Sequence, residues 1–254
     1  MDPLLATPLT RRSKPLMLRS AVMLGEGIYT ISEAARLSGI APSRLRRWLE
    51  GYDFRARSGA IRHSKPAFHA GVRGSGRDAT ISFLDLLEAM FFDRFHRQGV
   101  TWNTLRRAAA QAAVDFQDPH PFSTRRFRTD GRSVFAEVAK DDGDLKLLDI
   151  VKRQRVFTEV IEPLLTQIDY DVSGFAASWS PMGKRIPVIV DPSRAFGRPI
   201  IKGRGVRTSV LAAAVLKGNA SVKEVASWYE VEVEEVAAAV EFEERLAANT
   251  LAAA

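Results

Sequence analysis

The chain has 254 residues, 46% hydrophobic and 26% charged, an ordinary globular composition that excludes disorder over most of its length. It has no cysteine, which rules out a disulfide scaffold, a thiol nucleophile and a cysteine-type zinc site, and no apolar run reaches the roughly 18 residues of a membrane span. The net charge of +7 is uneven: residues 1–110 hold 18 Lys/Arg against 9 Asp/Glu, residues 111–190 hold 11 against 12, and residues 191–254 hold 8 against 9. A basic module joined to near-neutral ones points to a reader of polyanions.

Residues 1–27 carry Arg11, Arg12, Lys14 and Arg19 among apolar residues. Arg19 interrupts the stretch that a secretory signal needs. The segment reads as a flexible basic tail, with Met17 and Met23 as further candidate starts. Without a signal or cysteine, the expected location is the cytoplasm.

From Tyr29 the pattern becomes specific. Thr30 and Glu33 have the spacing of a capping box, and Ile31, Ala34, Ala35 and Leu37 follow at helical intervals. Gly39 ends that helix, and Pro42 suits the first turn of the next. Leu45, Trp48 and Leu49 form an inner face, which leaves Ser43, Arg44, Arg46 and Arg47 on other faces. Two short helices around a Gly-containing turn make a helix-turn-helix, whose second helix enters the major groove. Arginine suits that helix, because its fork matches guanine or a phosphate.

Residues 55–77 hold Arg55, Arg57, Arg62, Lys65, Arg73 and Arg77, with His63, His69 and no acid, and read as a basic wing whose Lys65, Arg73 and Arg77 face phosphates. A long amphipathic helix opens at Ser82 with Phe83, Leu86, Leu87, Met90, Phe91 and Phe95 inside, and a second runs from Thr101 to Ala112. Helix, turn, helix, wing and two further helices resemble the MerR-type winged helix over about residues 28–113. The long dimerising helix of that family does not follow residue 113.

The middle, residues 116–190, reads as an α/β connector. Arg126–Val138 alternates around Asp130-Gly131, a β-hairpin signal. Asp141, Asp142 and Asp144 lack the ligand ladder of a calcium loop and read as a solvated turn. Leu147–Ile168 has helical spacing with a break expected at Pro163, and Ile186–Val190 reads as a short strand.

Residues 191–254 contain three helical patterns: one capped by Thr208 or Ser209, one started by Ser221 and Glu224, and one along Val233–Leu246. This too has helix-turn-helix spacing, but Glu230, Glu232, Glu234, Glu235, Glu241, Glu243 and Glu244 would repel phosphates, which assigns the unit to protein contact. The expected fold is therefore mainly α with small β elements: a winged helix-turn-helix over 28–115, a middle β-hairpin plus helix over 116–190, and a C-terminal trihelical module over 191–254.

Gly197-x-Pro199-Ile200, Gly205-Val206-x-Thr208, Gly218-x-x-Ser221 and Ala239-Val240-x-Phe242-Glu243 resemble the domain-of-unknown-function 433 family. With Arg47-Trp48-Leu49-x-Gly51-Tyr52, His120-Pro121-Phe122, Thr129-Asp130-Gly131-Arg132 and Asp191-Pro192-x-x-x-Phe196-Gly197, the chain resembles the longer VapB-like antitoxins over most of residues 25–246. That resemblance implies the antitoxin of a type II pair, which blocks a PIN-like ribonuclease toxin and represses its own operon. Operator DNA is the second partner, and a homodimer is expected because one head reads few base pairs. The basic loop with Phe196, Arg198, Arg204 and Arg207 is the candidate toxin-binding segment, from its charge. The alternative is a stand-alone MerR-like regulator with a protein- or ligand-binding tail; a third reading is a nucleic-acid adaptor without sequence preference. His63, His69, His96 and His120 have neither triad nor metal spacing, so no catalytic residue, metal or cofactor is expected.

Overall fold

The computed structural model describes residues 26–67, 74, 79–152 and 154–252. Nearly all of the N-terminal segment, His69, Arg73 and Arg77 lie outside the described residues.

Two strands deliver two helix caps. β1 (Ile28–Thr30) pairs antiparallel with β4 (Thr80–Ser82), in register Ile28↔Ser82 to Thr30↔Thr80. Each strand ends in a hydroxyl residue that caps the next helix. The Thr30 hydroxyl accepts from the Glu33 N–H at 3.2 Å, the Thr30 N–H donates to Glu33 Oε2 at 2.9 Å, and α1 (Ile31–Ser38) begins there. Ser82 and Asp85 repeat the arrangement at the start of α3 (Phe83–Arg97). Gly39, at φ 70°, turns the chain into α2 (Pro42–Glu50). β2 (Tyr52–Arg55) and β3 (Ile61–Ser64) form an antiparallel hairpin.

α3 is buried almost all round, its acids Asp85, Glu88 and Asp93 included, and forms the axis of the main core. α4 (Trp102–Phe116) and α5 (Arg125–Asp142) pack beside it, joined by a 3₁₀ turn at Pro121–Ser123. Rings of Phe91, Phe95, Phe122, Phe127 and Phe135 meet there, Phe122 with Phe127 at 4.7 Å and Phe95 with Phe135 at 4.6 Å between centroids.

α5 occupies the segment that sequence alternation assigns to a hairpin. Phe127, Val134, Phe135, Val138 and Ala139 are all buried, and their spacing is that of one helix face. Gly131 is not a turn residue here. A Cβ on it would meet the Phe127 ring at 2.4 Å, so glycine is what lets that ring lie along the helix. The acids that follow flank a turn at Gly143 and are partly open to solvent, but they are also engaged. Arg107 pairs with Asp141 and Asp142, while Asp144 accepts from Thr104 Oγ1 at 2.8 Å and from the Leu147 N–H at 3.0 Å. They tie α4 to α5 and to α6 (Leu145–Lys152).

α7 (Gln154–Leu165) runs through Pro163 and ends two residues later. β5 (Ile168–Tyr170) pairs antiparallel with β6 (Ala176–Trp179), and Trp179 bridges to Val190. The main hydrophobic cluster runs without a break from Tyr29 to Val190.

A second cluster lies in the C-terminal part. β7 (Val188–Ile189) pairs with β8 (Ile200–Ile201), and α8 (Thr208–Leu216), α9 (Val222–Tyr229) and α10 (Val233–Ala252) enclose Leu211, Val225, Val236 and Phe242. Arg207, not Thr208 or Ser209, stands at the cap of α8, and the Thr208 hydroxyl donates instead to Glu243 Oε1 at 2.6 Å. Leu37 of α1 packs against both clusters. Polar contacts join them too: Tyr29 Oη donates to the Gly197 carbonyl at 2.8 Å, Arg198 pairs with Glu33, and Asn249 Nδ2 donates to the Arg36 carbonyl at 3.0 Å. The tail is thereby seated on the first helix of the head.

Candidate nucleic-acid interface

α2 is placed by its apolar face. Leu45, Trp48 and Leu49 are buried, and Ile40 plugs the turn before them. Ser43, Arg44 and Arg47 remain exposed, and Arg46 is half-buried. The start of α2 has no side-chain cap and no acid in its first turn. Its positive dipole end thus stands beside arginines rather than carboxylates, which favours an external anion.

The arginines are not equivalent. Arg44 Nη1 donates to Asp93 Oδ1 at 3.3 Å, and the same carboxylate holds Arg97 at 2.5 Å. Its guanidinium also lies 6.0 Å from the Trp48 ring. Asp93 is nearly buried, so Arg44 is held in place while half of its side chain faces solvent. Arg47 lies over the Tyr52 ring at 5.5 Å, an arrangement that steadies a cation without neutralising it.

The hairpin is exposed on both faces along nearly its whole length. Two strands alone are marginal in water. Its base is fixed instead by α4: Arg106 donates to the Pro66 carbonyl at 3.1 Å, the Lys65 carbonyl at 2.6 Å and Ser64 Oγ at 2.9 Å. The Ala67 N–H adds a bond to the Trp48 carbonyl at 2.7 Å. Asp53 and His63 pair at 2.8 Å across the outer face. Lys65 is exposed at the base of the hairpin.

Between α2, the hairpin and the start of α4 lies a cleft of about 480 Å³. Arg44, Arg47 and Arg106 line it together with Trp48, Tyr52 and Phe54, and none of the described residues that line it is acidic. The structure therefore brings Ser43, Arg44 and Arg47 to one concave, basic surface beside Lys65, with Arg46 turned further inward. Sequence reasoning does not single out Arg106 or Phe54, and names Tyr52 only within the motif Arg47-Trp48-Leu49-x-Gly51-Tyr52, with no role at this surface. The alternation Tyr52-x-Phe54 directly after α2 is the available signal for the two rings. Nothing local marks Arg106, which acts on a segment about forty residues away.

The second set of residues lies on the tail, apart from this surface. Phe196 is two-thirds exposed on a turn where Ala195, Phe196 and Gly197 all have positive φ. Two non-glycine residues held there store strain of order 1–3 kcal/mol each. Arg198 is engaged by Glu33, and Arg204 lies 3.6 Å from Glu232 and 3.7 Å from Glu235. Burial pushes the Glu33 carboxyl up, but the Thr30 N–H and the Arg198 guanidinium outweigh it and hold it below its usual range. Arg207 is exposed beside Arg198 in a smaller cavity between α1 and the tail.

Among the described residues no group of three His, Asp or Glu is arranged to hold a metal, and no helix is long and apolar enough to cross a membrane.

Residues 27–109 match a family described as "Putative DNA-binding HTH domain", and residues 184–242 match "Protein of unknown function (DUF433)". A relative called "Putative antitoxin VapB45", from Mycobacterium tuberculosis (strain ATCC 25618 / H37Rv), is 28% identical over 213 residues, covering 80% of this chain and 88% of the relative. The X-ray crystal structure of Rv2018 from Mycobacterium tuberculosis superposes with a TM-score of 0.67 at 25% identity, covering 84% of this chain and 96% of that one. The chain thus carries a helix-turn-helix domain of DNA-binding type in a mainly helical fold, and is similar over most of its length to a protein named as an antitoxin.

Proposed function

We propose that the chain is the antitoxin of a type II toxin–antitoxin pair, acting in the cytoplasm. It binds and neutralises a PIN-like ribonuclease encoded beside it, and represses its own operon as a homodimer. The observation that carries the reading is the division of surfaces. One basic concave face is built around the second helix of a helix-turn-helix, and a separate strained aromatic turn stands on the tail.

Ser43, Arg44, Arg46 and Arg47 contact operator DNA, with Lys65, Arg73 and Arg77 on phosphates. The toxin meets the tail at Phe196 and at Arg198, Arg204 and Arg207. Phe196 supports this assignment, because an aromatic ring displayed by strained backbone has the character of an interface anchor. Arg207 has the freest position of the three arginines, while Arg198 and Arg204 exchange carboxylate partners on binding. The head is MerR-like in its order of helices and wing, and the three tail helices form the antitoxin-type module.

Co-expression of the tagged chain with the product of the adjacent reading frame tests the first half. A stable complex with a small ribonuclease is expected, and Phe196→Ala weakens it. Absence of that complex leaves a stand-alone regulator. Operator binding tests the other half: Arg46→Ala and Arg47→Ala each lower the salt slope by about 0.9 for every phosphate that is no longer neutralised. An unchanged affinity and slope in the double variant overturns the assignment of α2.

A further inference from the structure

The cleft between α2 and the hairpin is more aromatic than a phosphate-gripping groove requires. Guanidinium groups alone would hold a duplex backbone. Yet Tyr52 and Phe54, two residues apart on one face of β2, turn their rings into this cleft with centroids 6.0 Å apart. Tyr52 is 39% exposed and Phe54 42%, and no described residue covers them further. Trp102 forms part of the floor, its ring tilted against Trp48 at 4.8 Å and His96 at 4.1 Å and backed by the parallel Phe92 ring at 6.3 Å. Bases inside a duplex have both π faces covered by their neighbours and cannot reach such rings. A nucleotide that has left its stack offers a free face.

Resting on the reading of the head as a nucleic-acid binder, we propose that this cleft receives one unstacked nucleotide. Its base lies against Tyr52, Phe54 and Trp102, and its phosphate lies on Arg47. The volume of about 480 Å³ is in the range of small-ligand pockets, roughly 300–1,000 Å³. Among the described residues the lining contains no carboxylate to oppose a phosphate. Arg47, already over the Tyr52 ring, joins the stacking and charged parts of the site. Asn103 and Ser43, both exposed at the rim, offer an amide and a hydroxyl to a base edge. Arg106 is a positioning residue: its bonds to Ser64, Lys65 and Pro66 hold the hairpin at the distance that keeps the cleft open. Aromatic platforms beside arginines are how single strands are bound without base pairing.

The experiment titrates the full chain, at low salt, with a single-stranded thymidine dodecamer, a uridine dodecamer and a duplex of the same length. The readout is quenching of the tryptophans, two of which line the cleft. A single strand is expected to quench, and its affinity to fall about tenfold in Tyr52→Ala and in Phe54→Ala with an unchanged salt slope. Phe54→Tyr, which keeps a ring, retains binding. Arg47→Ala loses affinity and lowers the single-strand slope by about 0.7. Stronger binding of thymidine or of uridine identifies DNA or RNA as the source of the nucleotide. Both ring positions are exposed, so far-UV dichroism of the variants is expected to match the parent. Duplex binding without single-strand quenching overturns the cleft proposal and leaves the head as a duplex reader. Single-strand binding that is indifferent to both ring variants also overturns it. No binding of any probe overturns both readings.

Discussion

α1 and α9 are each eight residues long, and each begins with a reciprocal cap, Thr30 with Glu33 and Ser221 with Glu224. Each ends on a residue in the left-handed region, Gly39 at φ 70° and Glu230 at φ 54°. A buried residue then plugs the turn, Ile40 in the head and Val231 in the tail. The helices that follow differ. α2 opens with no acid and carries Arg44, Arg46 and Arg47, whereas α10 opens on Glu234 and Glu235 and continues through Glu241, Glu243 and Glu244. The acids satisfy the positive end of α10 from within the chain, and Glu235 and Glu243 are further engaged by Arg204 and Arg36. The arginines leave the positive end of α2 to be met from outside. One backbone motif thus carries two charge patterns, one open to an outside anion and one satisfied within the chain.

The comparison is tested most strongly at the turn plugs. Ile40→Ala removes a side chain that is 1% exposed and is expected to cost about 2–5 kcal/mol, read as a lower urea midpoint. Val231→Ala removes less volume from a slightly more open site and costs less. Equal and small losses would mean that the turns are held by their caps instead.

The buried acids of α3 make a contrast with Glu234, Glu241 and Glu244 of α10, which are exposed. Burial pushes the Glu88 carboxyl well above the usual range, and the N–H groups of Phe122 at 2.9 Å and Ser123 at 3.2 Å offset it only in part. A raised folded pKa stabilises the fold below the ordinary carboxylate value of about 4.3. That contribution is lost as pH rises through the folded value. Glu88→Gln is therefore expected to gain stability over the parent as pH is raised, in thermal melts across a pH series. A constant difference between the two would refute the burial argument. Asp85 has the opposite sign. Burial raises it too, but His120 at 2.9 Å and Ser82 win and hold it below its usual range, so its contribution is lost as pH falls.

The left-handed residues give a smaller effect. Gly39→Ala is expected to destabilise by about 1–2 kcal/mol, a purely conformational cost, because the new Cβ meets only Asn249 at 3.7 Å. Glu230→Gly at the matching position stabilises by up to about 1 kcal/mol, offset by glycine's greater unfolded-state freedom. Opposite signs in the two denaturation curves are the expected result. The smallest change is Arg198→Ala. Its pair with Glu33 is partly solvent-screened, so the loss is about 0.2–1 kcal/mol. A larger loss would show that the seat of the tail on α1 depends on that pair.

Much of the helical layout was legible locally. Capping boxes at Thr30 and Ser221 and the break at Gly39 each depend on a few neighbouring residues, and the structure places helix ends there. α5 was not legible in the same way. Asp130-Gly131 is a strong turn signal by itself, and it yields to the burial of Phe127, Val134, Phe135 and Val138 on one helix face, where Gly131 leaves space for the Phe127 ring. The candidate site was half legible. The arginines of α2 stand out in sequence, but the cleft they share with Tyr52 and Phe54 depends on Arg106 reaching the base of the hairpin.

Sequence alone determined where α1, α3 and α9 begin and where the excess positive charge lies, because a side-chain cap is settled within one helical turn and charge is additive along a chain. Tertiary structure decided which of those charges are available. Asp93 reaches Arg44 across 49 residues, and Glu33 engages Arg198 across 165. Ion pairing falls with distance in space, not along the chain, so the same arginines read from sequence as equals are steadied, engaged or exposed in the folded protein.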